Sequence, residues 1–334
     1  MLTMLTMLAM LAMLARCATA RPVTKASIAM LALHQEVPTM PVTILFANNK
    51  GGVQKTGCTV QTAAGLARQG LNVLVVDMDP QANATRRLGI EWDPAHPIPS
   101  VSEAIAANTE GAGEGAVVEC GWKNAAGDPT AEAKHIDVIP ARFDLINREA
   151  EAGTVGAFRR LRKALTGWTD DYDVVLIDSR PDLGHLVQMS MSAADVVIIP
   201  SDTGYDSVEA AIRVSDFVTQ HAVDLANPEL RVGGVLVTRR RQTAEGDFQI
   251  EGLRERFGDL VWDLRTIKII PGDVEVELTP PYVPEWTRFA EADAAGVSLT
   301  AWNDERGRTT VRIFDEVAQR IIDRILPAYA ERIA

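Results

Sequence analysis

The run Ala47-Asn48-Asn49-Lys50-Gly51-Gly52-Val53-Gln54-Lys55-Thr56-Gly57 constrains this chain more than any other segment, because of what flanks it. Before it, residues 42–47 (VTILFA) form a short apolar stretch of β-branched and aromatic character that reads as a buried strand. After it, residues 59–69 set Val60, Ala63, Ala64 and Ala67 at helical spacing, and Gly70 stops the pattern. A glycine-containing loop between a strand and a helix gathers backbone N–H groups and the helix N-terminus into a nest for an anion. Glycine keeps Cβ atoms out of the way of that approach. Lys55 and Thr56, placed where the helix opens, suit a polyphosphate with its divalent cation: an ammonium for phosphate oxygens and a hydroxyl for Mg²⁺.

Five further apolar runs follow the same design: residues 71–80 (LNVLVVDMDP), 135–141 (HIDVIPA), 172–179 (YDVVLIDS), 195–202 (DVVIIPSD) and 230–238 (LRVGGVLVT). Helical patterns over 142–152, 158–167 and 207–223 separate several of them. Runs such as VLVVD and DVVLID are apolar on both faces, as parallel strands covered by helices must be. The expected fold is therefore α/β, a P-loop NTPase-like doubly wound, mostly parallel sheet with helices on both faces. Residues 311–333 are amphipathic, with Ile313, Phe314, Val317, Ile321, Ile322, Ile325 and Leu326 set against acids and arginines, and are expected to dock as a helix on the same core. Residues 270–286, with four prolines and several acids, read as inserted or divergent and receive no role.

Composition narrows the class. The chain is 47% hydrophobic and 23% charged, ordinary for a protein with a sizeable core. A net charge of −12 repels nucleic acid at long range, so DNA contact needs a local basic patch. Cys17, Cys58 and Cys120, three widely spaced cysteines, exclude a disulfide framework and fit a reducing, cytoplasmic setting. His34, His96, His135, His185 and His221 show no metal-ligand spacing. Residues 1–40 form a separate leader ahead of a domain over 41–334. Its Met-Leu repeat lacks a basic n-region, and two readings stand: an over-extended start, with translation beginning at Met30 or Met40, or an amphipathic helix touching a membrane.

The general Walker pattern places glycine before Lys-Thr, and here Gln54 stands there, with Asn49 in place of the first glycine. Lys-Gly-Gly-Val-x-Lys-Thr over Lys50 to Thr56 instead resembles the deviant Walker A motif of the ParA/MinD family. The resemblance implies that Lys50 reaches across a nucleotide-sandwich homodimer to the partner's phosphates. It also implies that Gly51, Gly52, Val53, Gln54, Lys55, Thr56 and Gly57 cradle ATP. Two departures bear on turnover. A Cβ at Gln54 loads a backbone angle that glycine tolerates, at about 1 kcal/mol. Gly57 lacks the second hydroxyl of the family, so hydrolysis is expected to be slow.

Residues 75–85 (VVDMDPQANAT) resemble the family's Asp-x-Asp-Pro-Gln-x-Asn-x-Thr signature. Carboxylates at the C-terminal end of a parallel strand share the crevice of the phosphate loop. By resemblance Asp79 positions the attacking water and Asp77 supports the Mg²⁺ shell. Residues 172–184 (YDVVLIDSRPDLG) resemble a Walker B strand, whose Asp178 reaches Mg²⁺ through water because that ion keeps part of its hydration shell. Arg180, where the family has proline, reads as a solvated cation beside the site. The resemblance runs from about Pro41 to about Ile325.

The family implies an ATPase that dimerises on ATP, binds nucleoid DNA nonspecifically and is released when a ParB-like centromere-binding protein stimulates hydrolysis. Its cargo would be a DNA such as a plasmid or chromosome. The basic cluster available for DNA is Arg239, Arg240 and Arg241, joined by Arg254, Arg256, Arg265 and Lys268. Two alternatives remain: a MinD-like membrane-associated division-site regulator, and an ATP-binding switch with little hydrolysis. Stable membrane insertion is not expected, since Asp315, Glu316 and Asp323 interrupt the C-terminal amphipathic segment.

Overall fold

The computed structural model describes residues 40–271, 274–286, 291–292 and 294–327. The leader over 1–40, apart from Met40, lies outside the described residues, as does the end of the C-terminal amphipathic segment.

All six apolar runs become strands, because each is too short for a helix and too apolar to leave either face in water. They are β1 (Val42–Phe46), β2 (Val73–Met78), β4 (Ile136–Ile139), β5 (Val174–Ser179), β6 (Val196–Ser201) and β7 (Arg231–Val237). A two-residue strand that the sequence did not announce, β3 (Val118–Glu119), pairs antiparallel at one edge. The sheet order is β3-β4-β2-β5-β1-β6-β7, parallel apart from β3. The order reverses beside β1, so the loops after β1, β2, β5 and β6 open into one crevice.

Helices α1 (Lys55–Arg68), α2 (Asn83–Arg87), α3 (Val101–Ala107), α4 (Arg160–Leu165), α5 (His185–Ala193), α6 (Tyr205–His221), α7 (Ala244–Phe257) and α8 (Glu305–Arg324) cover both faces. One core layer joins β1 and β2 to α1 and α8 through Ile44, Phe46, Val75, Leu66 and Phe314. The other joins Leu45, Leu74 and Ile177 to α5 and α6 through Met189 and Val214. The expected C-terminal docking is seen: Ile313, Phe314, Val317 and Ile321 of α8 are buried, each worth about 1.5–3 kcal/mol. Gly65 of α1 makes this contact close, since a Cβ there would lie 2.3 Å from the Phe314 carbonyl oxygen.

Residues 142–152 depart from the expected helix and form a 3₁₀ run, Phe143–Glu151. Leu145 is its sole buried residue, so no apolar stripe rewards regular α turns. Its acids serve the neighbouring elements instead. Glu149 accepts from the backbone N–H groups of His185 and Leu186 at the start of α5, and Glu151 accepts from Arg148 and Arg160.

Residues 270–286 gain a structure. They supply the second strand of a hairpin, β8 (Thr266–Ile270) with β9 (Val274–Thr279), outside the main sheet. The buried Thr279 pins its base: the hydroxyl donates to the Leu264 carbonyl (2.6 Å) and accepts from the Thr266 N–H (2.8 Å). The chain then returns to the end of β7, where Val283 N–H bonds the Val237 carbonyl (3.0 Å), and this brings Glu285 to the phosphate loop.

Candidate active site

The loop between β1 and α1 is held by its carbonyl side. Asn48 starts it, donating to the Pro200 carbonyl (2.7 Å) and accepting from the Lys50 N–H (3.0 Å). The Lys55 ammonium donates to the Lys50 carbonyl (2.9 Å), Arg239 to the Gly52 carbonyl (2.9 Å), and the Thr238 hydroxyl to the Val53 carbonyl (3.0 Å). The first intrahelical bond of α1 runs from Cys58 N–H to the Gln54 carbonyl, so the amides of Lys55, Thr56 and Gly57 have no partner within the helix. These donors, with the helix dipole, define an anion site.

Gln54 sits in the left-handed region at φ 61°, the conformation that the usual glycine would supply. Its side-chain oxygen is buried without a hydrogen-bond partner.

A chamber of about 190 Å³ lies against the loop, lined by Gly51, Gly52, Gln54, Lys55, Thr56 and Asp79, and completed by Asn83, Arg87, Ser179 and Pro181. Asp79 is held by a turn in which its carboxylate accepts from the Gln81 N–H (3.0 Å). Beneath the chamber lie Asp77 and Asp178, both fully buried. Burial, then the neighbouring Asp77 carboxylate, pushes Asp178 up to about 7. Burial pushes Asp77 up to about 6 against the hydrogen bonds it accepts. Lys55 is lowered by burial, opposed by Asp178 and Asp79.

The two buried acids are not equivalent. Asp77 is occupied: the Thr85 N–H (2.9 Å) and hydroxyl (2.7 Å) reach one oxygen, and the Asp79 N–H (3.1 Å) the other. Asp178 accepts from Thr59 (3.2 Å) on one oxygen, and its Oδ2 is buried with no partner. An orphaned carboxylate oxygen beside Thr56 fits a hydrated divalent cation, which takes oxygen donors and keeps water.

The remaining expected residues are placed as follows. Lys50 stands at the rim, outside the chamber lining, with its ammonium 3.6 Å from Asp206. Arg180 pairs with Glu149 (3.2 Å) and Asp182 (2.5 Å). The arginines after β7 diverge. Arg239 bridges Gly52 and Glu285, Arg240 is largely buried and bonds Asp247, and Arg241 is exposed and bonds the other Glu285 oxygen. The hydrogen bonds from Arg241 and Arg239 hold the Glu285 carboxyl down to about 2.

Sequence reasoning missed Asn48, Thr238, Glu285 and Arg87. Glu285 and Thr238 are far from the loop in sequence, so no local spacing reports them. Arg87 lies two residues beyond the VVDMDPQANAT run, and that adjacency was the available signal.

The fold and this chamber define a P-loop nucleotide-site protein. Residues 42–232 match the family described as AAA domain. The chain is 32% identical to the sporulation initiation inhibitor protein Soj of Bacillus subtilis over 72% of this chain and 87% of Soj. It is 32% identical to the chromosome partitioning protein ParA of Myxococcus xanthus over 72% of this chain and 78% of that protein. The chain belongs to the ParA family of P-loop ATPases. Among solved structures it is similar to the ATP complex of a Cyanothece McdA variant, with a TM-score of 0.66 at 21% identity over 85% of this chain and 97% of that one. It is also similar to a Mycobacterium smegmatis protein described as cobyrinic acid a,c-diamide synthase with bound ADP and magnesium, with a TM-score of 0.60 at 26% identity over 85% and 96%.

Proposed function

We propose that this chain is a cytoplasmic partition ATPase: it binds Mg·ATP, pairs with a second copy, holds DNA nonspecifically, and lets go when a ParB-like partner speeds hydrolysis. The observation that carries the proposal is one chamber lined by Gly51, Gly52, Gln54, Lys55 and Thr56 of the phosphate loop and by Asp79 after β2, with Asp178 of β5 buried beneath it. Family membership supports the rest, since relatives of this chain at 32% identity are named chromosome partitioning proteins.

Thr56 and, through water, Asp178 would hold Mg²⁺, which when bound offsets charge on the phosphates. Lys55 and the first-turn amides of α1 bind phosphate oxygens. Asp79 accepts a hydrogen bond from a water and aims it at the terminal phosphorus. The water oxygen adds there, the bond to the bridging oxygen breaks, ADP leaves with that oxygen, and the water's proton ends on the released phosphate. Lys50, a residue of the rim, is free to exchange Asp206 for a phosphate of the second copy, because an exposed ion pair is worth only about 0–1 kcal/mol.

DNA contact falls to Arg241, the most exposed side chain of its cluster. A membrane-bound role is disfavoured by α8, which spends its apolar face on the core, and no helix among the described residues is long and apolar enough to cross a membrane. Gln54 in the left-handed region favours a second reading, a switch that holds ATP with little turnover, and single-turnover hydrolysis separates the two. The functional test is co-sedimentation with nonspecific DNA. Retention that requires ATP and weakens in Arg241→Ala is expected; ATP-independent or absent retention contradicts the partition role.

A further inference from the structure

We propose that Arg87 is a phosphate-facing cation supplied in cis, which contacts the terminal phosphate of bound ATP, a role that rests on reading the chamber as a nucleotide site. Among the described residues lining the chamber, the positively charged ones are Lys55 and Arg87. Lys50 is not on its wall and leans toward Asp206. Asp79 already lines the same space and Asp178 lies beneath it, and ATP adds about four negative charges. One buried lysine and the two charges of a Mg²⁺ that would accompany the nucleotide still leave that assembly short of positive charge within a single protomer. A guanidinium supplies it in the form best matched to phosphate, a planar fork of donors that spans two oxygens.

The surroundings fix the root of Arg87, and its side chain lines two neighbouring spaces. Arg87 ends α2, and its carbonyl accepts from the indole N–H of Trp122 at 2.7 Å. Trp122 is buried, and the next carbonyl, that of Leu88, accepts from the Gly121 N–H at 2.8 Å. Gly89 and Gly121 pack backbone to backbone, so closely that a Cβ on Gly121 would lie 2.1 Å from the Gly89 oxygen. The side chain stands on the boundary between the chamber and a larger cleft of about 640 Å³, which shares Asn83 and Arg87 in its lining.

The test is the affinity of the full chain for Mg·ATP and Mg·ADP, measured by competition with a fluorescent nucleotide, with thermal midpoints to verify folding. Arg87→Ala is expected to weaken ATP about tenfold and leave ADP within about twofold, because the contact is with the phosphate ADP lacks. Arg87→Lys should fall between, keeping charge without the fork. Arg213→Ala, the loss of an exposed cation on α6, should change neither affinity. Equal losses for ATP and ADP would make Arg87 a support of α2, and no change in either would remove it from the chamber; both overturn the proposal. A wild-type chain that binds neither nucleotide overturns the nucleotide site itself, and the arginine's role with it.

Discussion

Asp77 and Asp178 are register partners on the adjacent parallel strands β2 and β5, so two fully buried carboxylates stand side by side under the phosphate loop. Thr85 and the Asp79 amide saturate one, while the other keeps an oxygen without a partner. A buried acid pair is costly when both are ionised, and of the two only Asp178 offers an open oxygen suited to a cation.

A pH dependence follows with a definite sign. Both groups titrate near 3.9 when unfolded and are raised in the fold, to about 6 for Asp77 and about 7 for Asp178. The folded chain therefore holds protons more tightly than the unfolded chain. Stability of the nucleotide-free protein should rise as pH falls from about 8 to about 6, by on the order of 1–3 kcal/mol. Asp178→Asn should flatten that rise. Thermal midpoints across this window check it; an unchanged slope in Asp178→Asn contradicts it.

Gln54 carries a cost that a single substitution relieves. Gln54→Gly places the residue suited to φ 61° and removes a buried oxygen without a partner. A gain of about 0.5–1 kcal/mol is expected in urea unfolding, net of the entropy that glycine adds to the unfolded chain. A loss of stability would mean that the Gln54 side chain holds the loop.

The six parallel strands of the main sheet were legible because short, β-branched apolar runs bounded by turn residues favour buried strands, and the loop after β1 was legible because its glycines and Lys55-Thr56 lie together in sequence. The 3₁₀ run Phe143–Glu151 was not, since its charged residues answer to α5 and Arg160 rather than to local helical spacing. The hairpin of β8 and β9 went unread although VEVELT over 274–279 alternates apolar and polar residues as a strand does, because Pro271 between the strands and Pro280, Pro281 and Pro284 after them made the stretch look like an insertion. Glu285 joined the site only through pairing of Val283 with β7, a contact of long sequence separation.

The crossing of α1 and α8 depends on the absence of a side chain at Gly65. Gly65→Ala would set a Cβ 2.3 Å from the Phe314 oxygen and 3.1 Å from the Ala318 Cβ, so α8 must move outward. Helix propensity favours alanine by about 1 kcal/mol, yet overpacking costs about 1–3 kcal/mol, and net destabilisation is expected. Equilibrium unfolding checks this. A neutral or stabilising effect would show that α8 is loosely held.

The central claim is that ATP converts this chain into a dimer through Lys50. Its most direct test is molar mass by light scattering, with and without saturating Mg·ATP, for wild type, Lys50→Ala and Asp79→Ala. Wild type should double in mass with ATP, Lys50→Ala should stay monomeric, and Asp79→Ala should dimerise and remain so as ATP is retained. A wild-type chain that binds ATP and stays monomeric would contradict the account and leave the chamber a nucleotide site without a partition switch.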